Sequence, residues 1–232
     1  MPKGSLDHHL YPHTRTDLGL QQEYPVLNWE TRMKIAEGVA DALVYLHDQR
    51  KLIHGDVNVS NVLLAEDHVP KLGDFGLATE IAEQQSKINP IKGTPGCIAP
   101  ETEENGVIST KSDVYCYGVF LIMLFTGRKA YDRERSLQTR KIADWFIKLR
   151  GEEMIRCSKH KGQQKYRIMV DMALGNKFSE EGLERLFQAV RLCLEPDVST
   201  RLNMTSVRAM VHEAATKRRS FEQAATSDSS VE

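Results

Sequence analysis

The stretch His54-Gly55-Asp56-Val57-Asn58-Val59-Ser60-Asn61, followed downstream by Asp74-Phe75-Gly76, decides how this chain of 232 residues is read. It sets three oxygen-bearing side chains, Asp56, Asn61 and Asp74, on two neighbouring loops. Val62-Leu63-Leu64 and Lys71-Leu72-Gly73 between them are short strand candidates parted by a Glu66-Asp67 turn, which predicts a small hairpin joining the loops. Phosphoryl transfer asks a protein for positioning and charge neutralisation more than for covalent help. It uses a carboxylate near the attacking hydroxyl, a role that suits Asp56. It also uses hard oxygen ligands for Mg²⁺, a role that suits Asn61 and Asp74. Each segment alone is ordinary turn chemistry, since Asx-rich turns and Asp-x-Gly recur in loops. Their order and separation are what favour a site.

Upstream, Trp29, Met33, Ile35, Ala36, Val39, Ala40, Leu43 and Leu46 recur at helical spacing behind Asn28, a suitable N-cap. The pattern predicts a long helix with one buried stripe. Downstream, Ser112 is placed to cap a helix running through Tyr115, Val119, Ile122 and Met123 until Gly127 stops it. Further helices are expected over 136–149, 163–174, 179–193 and 203–215. Residues 1–25 are polar and turn-rich. Their His8, His9 and His13 have no Cys or carboxylate at ligand spacing and read as a solvated loop. From about 216 the composition turns to Ser, Ala, Glu and Lys/Arg, which predicts a disordered tail. Ser227, Ser229 and Ser230 read as part of that solvated end in preference to phosphosites.

Hydrophobic content of 41% and charged content of 27% are those of a globular protein with one well-buried core. A formal net charge of -1 gives no global pull toward nucleic acid or an anionic membrane. The most apolar run, Val119 to Phe125, is too short to cross a bilayer. Neither a nucleic-acid partner nor direct membrane insertion is expected. Cys97, Cys116, Cys157 and Cys193 show no CxxC and read as reduced thiols, not disulfides or a zinc site.

Over roughly residues 1–213 the chain resembles the C-terminal lobe of the eukaryotic protein kinases, with a catalytic loop at 54–61, Asp74-Phe75-Gly76 as metal-binding segment and Ala99-Pro100-Glu101 closing an activation segment at 74–101. The Trp29-Glu30-Thr31-Arg32 helix, Ser60-Asn61-Val62-Leu63-Leu64 and Gly93-Thr94-Pro95-Gly96 resemble plant receptor-like serine/threonine kinases in particular. The resemblance implies a mainly α (α+β) fold with a small β-hairpin beside the catalytic loop and the N-terminal β-rich lobe absent. Residues 1–25 would be the post-hinge segment and loop, 26–215 the C-lobe and 216–232 the disordered tail. It further implies Asp56 as catalytic base, Thr94 as a serine/threonine-type residue facing the acceptor, and Asn61 and Asp74 as holders of Mg²⁺ and, through it, ATP. His54, Phe75, Gly76, Glu101, Asp113 and Arg201 take structural roles, with Glu101 pairing Arg201 and Asp113 anchoring the catalytic-loop backbone. The implied partner is a protein substrate or a partner kinase, in the cytoplasm or on the cytosolic side of the plasma membrane.

Several positions depart from the pattern. No G-x-G-x-x-G occurs, and Met1-Pro2-Lys3-Gly4-Ser5-Leu6 resembles the segment just after the hinge between lobes, so a truncated form, inactive alone and doubtful in binding ATP and Mg²⁺, is expected. Asn58 stands where a Lys steadies the transferring phosphate; losing one such contact costs on the order of 10²–10³ in rate. Gly55 replaces an Arg that meets an activation-segment phosphate. Cys97 stands where Tyr or Phe is common and reads as a buried thiol more than a redox sensor. Two readings follow: a serine/threonine kinase whose chain is truncated, or a pseudokinase-like binding module that regulates another kinase or signalling partner. In either case apolar surface near Phe75 should be exposed.

Overall fold

A helix that is apolar on every side dictates the architecture. Each residue from Ser112 to Thr126 is buried, and a helix without a polar face must be enclosed by other elements. The computed structural model describes residues 1–11, 25–81, 86–87, 90–157, 169–175 and 177–227, with only the backbone at 86–87, 150–157 and 218–227. In chain order it contains α1 (Leu6–Leu10), α2 (Trp29–Val44, continued by a π-helical turn over Tyr45–Arg50), β1 (Leu52–Ile53), β2 (Val62–Leu64), β3 (Pro70–Leu72), β4 (Thr79–Glu80), β5 (Ser86–Lys87) and α3 (Pro100–Asn105). There follow β6 (Val107–Ile108), the central α4 (Thr110–Thr126), α5 (Ile142–Cys157), α6 (Glu180–Cys193) and α7 (Met204–Ser227).

Helices α2, α5, α6 and α7 pack around α4. The strands form antiparallel two-stranded ribbons, β1 with β4, β2 with β3 and β5 with β6, and no larger sheet exists among the described residues. The expected mainly helical lobe with a hairpin beside the catalytic loop is what the chain forms. Asn28 caps α2 by accepting from Thr31 N at 2.9 Å, and the apolar stripe of that helix is buried. Gly127 ends α4 in the left-handed region at φ 65°, where glycine alone is unstrained.

Several expectations are corrected. The cap of α4 is Ser109, whose hydroxyl accepts from Lys111 N, while Ser112 occupies the third helical position and accepts from Ser109 N. Two serines three residues apart form a reciprocal capping box, and the helix starts one turn earlier than a lone Ser112 suggests. The helix expected from 136 begins at Ile142, because Leu137–Thr139 takes a separate 3₁₀ turn. In the candidate 163–174, residues 163–168 lie outside the described residues and Met172–Leu174 is a single 3₁₀ turn. The tail expected to be disordered from 216 is helical to Ser227; its Ala, Glu, Lys and Arg are good helix formers. The polar N-terminal stretch contributes α1, with Leu6, His9 and Leu10 buried. Its backbone runs beside β2, Lys3 N donating to Leu64 O and Leu64 N to Gly4 O. His13 lies outside the described residues.

A buried ion pair, not anticipated from the sequence, ties α2 to the end of α4. Arg32, 2% exposed, donates from Nε to Leu27 O, from one terminal nitrogen to Leu124 O at 2.7 Å and from the other to Asp171 Oδ2 at 2.6 Å. Removing Arg32 takes the guanidinium from a partly buried carboxylate and from two carbonyls. Arg32→Ala should therefore lower unfolding free energy by about 3–5 kcal/mol in urea titration; a loss below 1 kcal/mol would show that solvent replaces the guanidinium.

Candidate active site

The site is built on the first turn of α4. Asp113, fully buried, holds the 54–61 loop by its backbone: His54 N donates to Oδ2 at 2.7 Å and Gly55 N to Oδ1 at 2.8 Å. His47 from the π turn donates Nε2–H to the same Oδ2 at 2.8 Å. Backbone amides satisfying a carboxylate at a helix N-terminus make a favourable place for its charge. His54 extends the scaffold. Asp56 N donates to its Nδ1 at 3.2 Å, so the proton sits on Nε2, which donates to Gly73 O at 3.0 Å. The same imidazole lies 5.1 Å from the Phe75 ring. One buried histidine thus joins the loop of Asp56 to the loop of Asp74.

Around Asp56 the side chains expected from the sequence come together. Oδ1 accepts from Thr94 N at 3.0 Å and from Thr94 Oγ1 at 2.7 Å. Oδ2 accepts from Asn61 Nδ2 at 3.0 Å, and that amide also donates to Asp56 O at 2.8 Å. Both Asn61 amide hydrogens are spent on Asp56, which turns its oxygen outward as the group offered to a metal. Asn58 is buried. Its oxygen accepts from Ser60 N and Asn61 N, capping the 3₁₀ turn Val59–Asn61, while its NH₂ donates to Asp56 O and to Thr94 Oγ1 at 2.9 Å.

Hairpin register brings the second metal candidate alongside. Val62 pairs with Leu72, and just beyond that pair Gly73 N donates to Asn61 O at 2.8 Å. Asp74, the next residue, is exposed, has φ 58° and accepts from Gly76 N at 3.2 Å. An aimed amide oxygen and an exposed carboxylate are hard donors that fit Mg²⁺ beside phosphate oxygens. Among the described residues no cluster of three His, Cys, Asp or Glu side chains forms, so a cage made by protein alone is not present. Phe75 is 48% exposed, as expected for uncovered apolar surface beside the site.

Glu101 and Arg201 form the expected pair, bidentate at 2.8 and 3.0 Å. Ser112 Oγ donates to Glu101 Oε1, and Arg201 donates to the carbonyls of Glu195 and Lys111. Cys97 is buried, and burial followed by the Asp56 charge pushes its thiol up to about 12, far from thiolate reactivity at neutral pH. His47 was not expected at the site, and Ser112 was expected only as a helix cap, not as a donor to Glu101. No spacing rule links His47 to an aspartate 66 residues along the chain.

Comparison with known proteins places these features in context. The protein kinase domain family matches residues 1–214. Among similar proteins of Arabidopsis thaliana, the probable serine/threonine-protein kinase PBL7 is 35% identical over 87% of this chain and 50% of its own length. The probable serine/threonine-protein kinase PBL6 is 35% identical over 94% of this chain and 48% of its own. The serine/threonine-protein kinase PBL27 is 36% identical over 87% and 37%. The chain spans about half, or less, of the length of these curated relatives.

Two measurements test the scaffold. Asp113→Ala strands the buried amides of His54 and Gly55 and should cost about 3 kcal/mol, with hydrogen exchange at those amides accelerating most; unchanged protection there would refute the anchoring role. The Cys97 thiol stays protonated in the folded chain above its ordinary value of 9.0. Its contribution to stability is complete below pH 9 and disappears as pH rises through about 12. Cys97→Ala should flatten the alkaline loss of stability by up to about 1.4 kcal/mol per pH unit in that window, measured by urea midpoints across pH 8–11.

Proposed function

This chain belongs to the protein kinase family, and on that premise we propose that its site serves transfer of the ATP γ-phosphate to a serine or threonine hydroxyl of a protein. The observation that carries the reading is the fixed Asp56 carboxylate, held on Oδ1 by Thr94 and on Oδ2 by Asn61. A carboxylate offers about four lone-pair positions. Three are used here, and Oδ2 keeps one for the acceptor's proton among the described contacts. Asp56 orients the acceptor hydroxyl and takes its proton as the new bond forms. Asn61 and Asp74 would hold Mg²⁺, whose chemistry is to neutralise charge on the phosphates.

Asn58 limits the rate. It reproduces a hydrogen-bonded link to Thr94 but brings no positive charge, a deficit on the order of 10²–10³ in rate. A pseudokinase-like role, binding and regulating another kinase, is the second reading. The same buried Asn58, committed as a turn cap, is the observation that favours it. The 232 residues also hold no glycine-rich phosphate loop, so this polypeptide alone is proposed to be inactive. A cytoplasmic setting belongs to the same proposal: Cys97, Cys116 and Cys193 are free, and no helix among the described residues is long and apolar enough to cross a membrane.

Protein purified from its source should lose phosphoryl transfer to a serine/threonine peptide on Asp56→Asn and gain about tenfold or more on Asn58→Lys. Transfer unaffected by Asp56→Asn would refute Asp56 as base. A protein inactive in both forms would favour the binding module. The 232-residue polypeptide by itself should show no thermal shift with Mg²⁺-ATP, and a clear shift would overturn its proposed inability to bind nucleotide.

A further inference from the structure

Between Arg128 and Lys141 the sequence carries six basic and two acidic residues, and this excursion is held in a defined shape. Ile142 N donates to Ala130 O at 2.8 Å, Asp132 N donates to Arg140 O at 3.0 Å, and Tyr131 bridges Lys141 between them. Two guanidinium groups from the excursion are held on one indole. The Arg128 Cζ lies 4.6 Å and the Arg135 Cζ 5.8 Å from the centroid of Trp145. Cation–π contact holds each of them against the ring, and it also brings two like charges together.

Among the described residues a single carboxylate answers that pair. Asp132 Oδ2 meets Arg135 Nε at 3.2 Å. One terminal nitrogen of Arg135 is buried with no hydrogen-bond partner among the described residues. Burial lowers the Arg135 pKa from its ordinary value, Asp132 counters the fall, and the Arg128 charge adds to it. Arg128 itself is exposed, as are Lys129 and Arg133 beside it. An unpartnered donor and an excess cation are costly in the empty state and favourable once an anion arrives.

Position gives the cluster a use. Gly96, two residues past Thr94, adopts φ +84°, and a Cβ there would lie 2.5 Å from Ala130 O. The two backbones are in contact, so the arginine–tryptophan stack abuts the segment whose Thr94 grips Asp56. Tyr11 Oη reaches the same place from α1, donating to Arg128 O at 2.9 Å.

We propose that Arg128, Arg135 and Trp145 form a docking subsite for a carboxylate-rich segment of the acceptor protein, flanking the serine or threonine presented at Asp56. This rests on the acceptor-phosphorylating reading above and specifies its substrate class. The occupant is set by charge complementarity: a glutamate or aspartate side chain pairs with the exposed Arg128 and draws out the unpartnered Arg135 nitrogen, while the indole flanks its methylene groups.

The test is a binding experiment and needs no phosphoryl transfer. The chain has two tryptophans, and Trp29 is buried against Phe125 and Phe178, so a surface ligand reports through Trp145. A twelve-residue peptide with one serine and four neighbouring glutamates should change that emission saturably and weaken as salt is raised. Its glutamine counterpart should bind about tenfold less tightly. Arg128→Gln, at an exposed position, should lose about tenfold in affinity for the glutamate peptide with an unchanged melting temperature. Arg135→Gln serves as the second variant. A peptide with alanine in place of its serine should keep the difference between its glutamate and glutamine forms, which separates this result from any failure of the catalytic reading. Equal affinity for the two peptides, an unaffected Arg128→Gln, or a stronger response to a phosphoserine peptide, inorganic phosphate or phosphatidylserine vesicles would overturn the proposal.

Discussion

The rest of the structure depends on the Asp113 carboxylate and the three donors around it. The loop at 54–61 has little regular hydrogen bonding of its own, so its buried amides need an acceptor from elsewhere. Asp113 provides it at His54 and Gly55. The residues just before it on the same helical turn do parallel work. Ser112 donates to Glu101 in the first turn of α3, and the Lys111 carbonyl accepts from Arg201. Three consecutive positions at the start of α4 therefore fix three separate stretches of chain. Because α4 is enclosed on all sides, these ties refer the loops to the most rigid element available.

Charge is buried here in a consistent way. Arg32 with Asp171, and Arg201 with Glu101, each combine an ion pair with donations to backbone carbonyls. An isolated buried pair gives little net stability against an apolar replacement, but every added carbonyl raises the cost of losing either partner. Such pairs define one arrangement of segments that hydrophobic contact alone would leave less specific. The Arg128–Arg135–Trp145 cluster is built differently, with cations in excess and a donor unanswered among the described residues. It has the look of a surface completed by something else, whereas the other two are complete.

Much of this was readable from residues alone, for identifiable reasons. The α2 stripe, its Asn28 cap, the hairpin and the Gly127 stop are local signals, each set by a few neighbouring residues. Asp56, Asn58, Asn61 and Thr94 were named from motif order, and the fold brings them within hydrogen-bonding distance. What was missed is non-local or relative. His47 meets Asp113 across 66 residues and Arg32 meets Asp171 across 139, separations that only the packed fold closes. Ser109 and Ser112 were both visible, but which serine caps depends on where the helix begins. The tail was misjudged because a charged, Ala-rich composition suits both a solvated coil and a helix.

Asn58 shows how a substitution that looks like simple loss is held in place. A lysine has donors and no acceptor, so it cannot close the Val59–Asn61 turn as the Asn58 oxygen does. The amide serves both directions at once, its oxygen capping the turn and its NH₂ gripping Asp56 O and Thr94 Oγ1. The geometry around Asp56 is thereby kept while the field around it changes. Hydrogen bonds fix position over a few ångströms, whereas a cation also stabilises charge that develops during reaction. If the proposed transfer is what the site serves, an asparagine here would keep its shape and give up rate first. On that proposal, recognition of an acceptor would outlast the chemistry, because it draws on position more than on charge that develops during reaction.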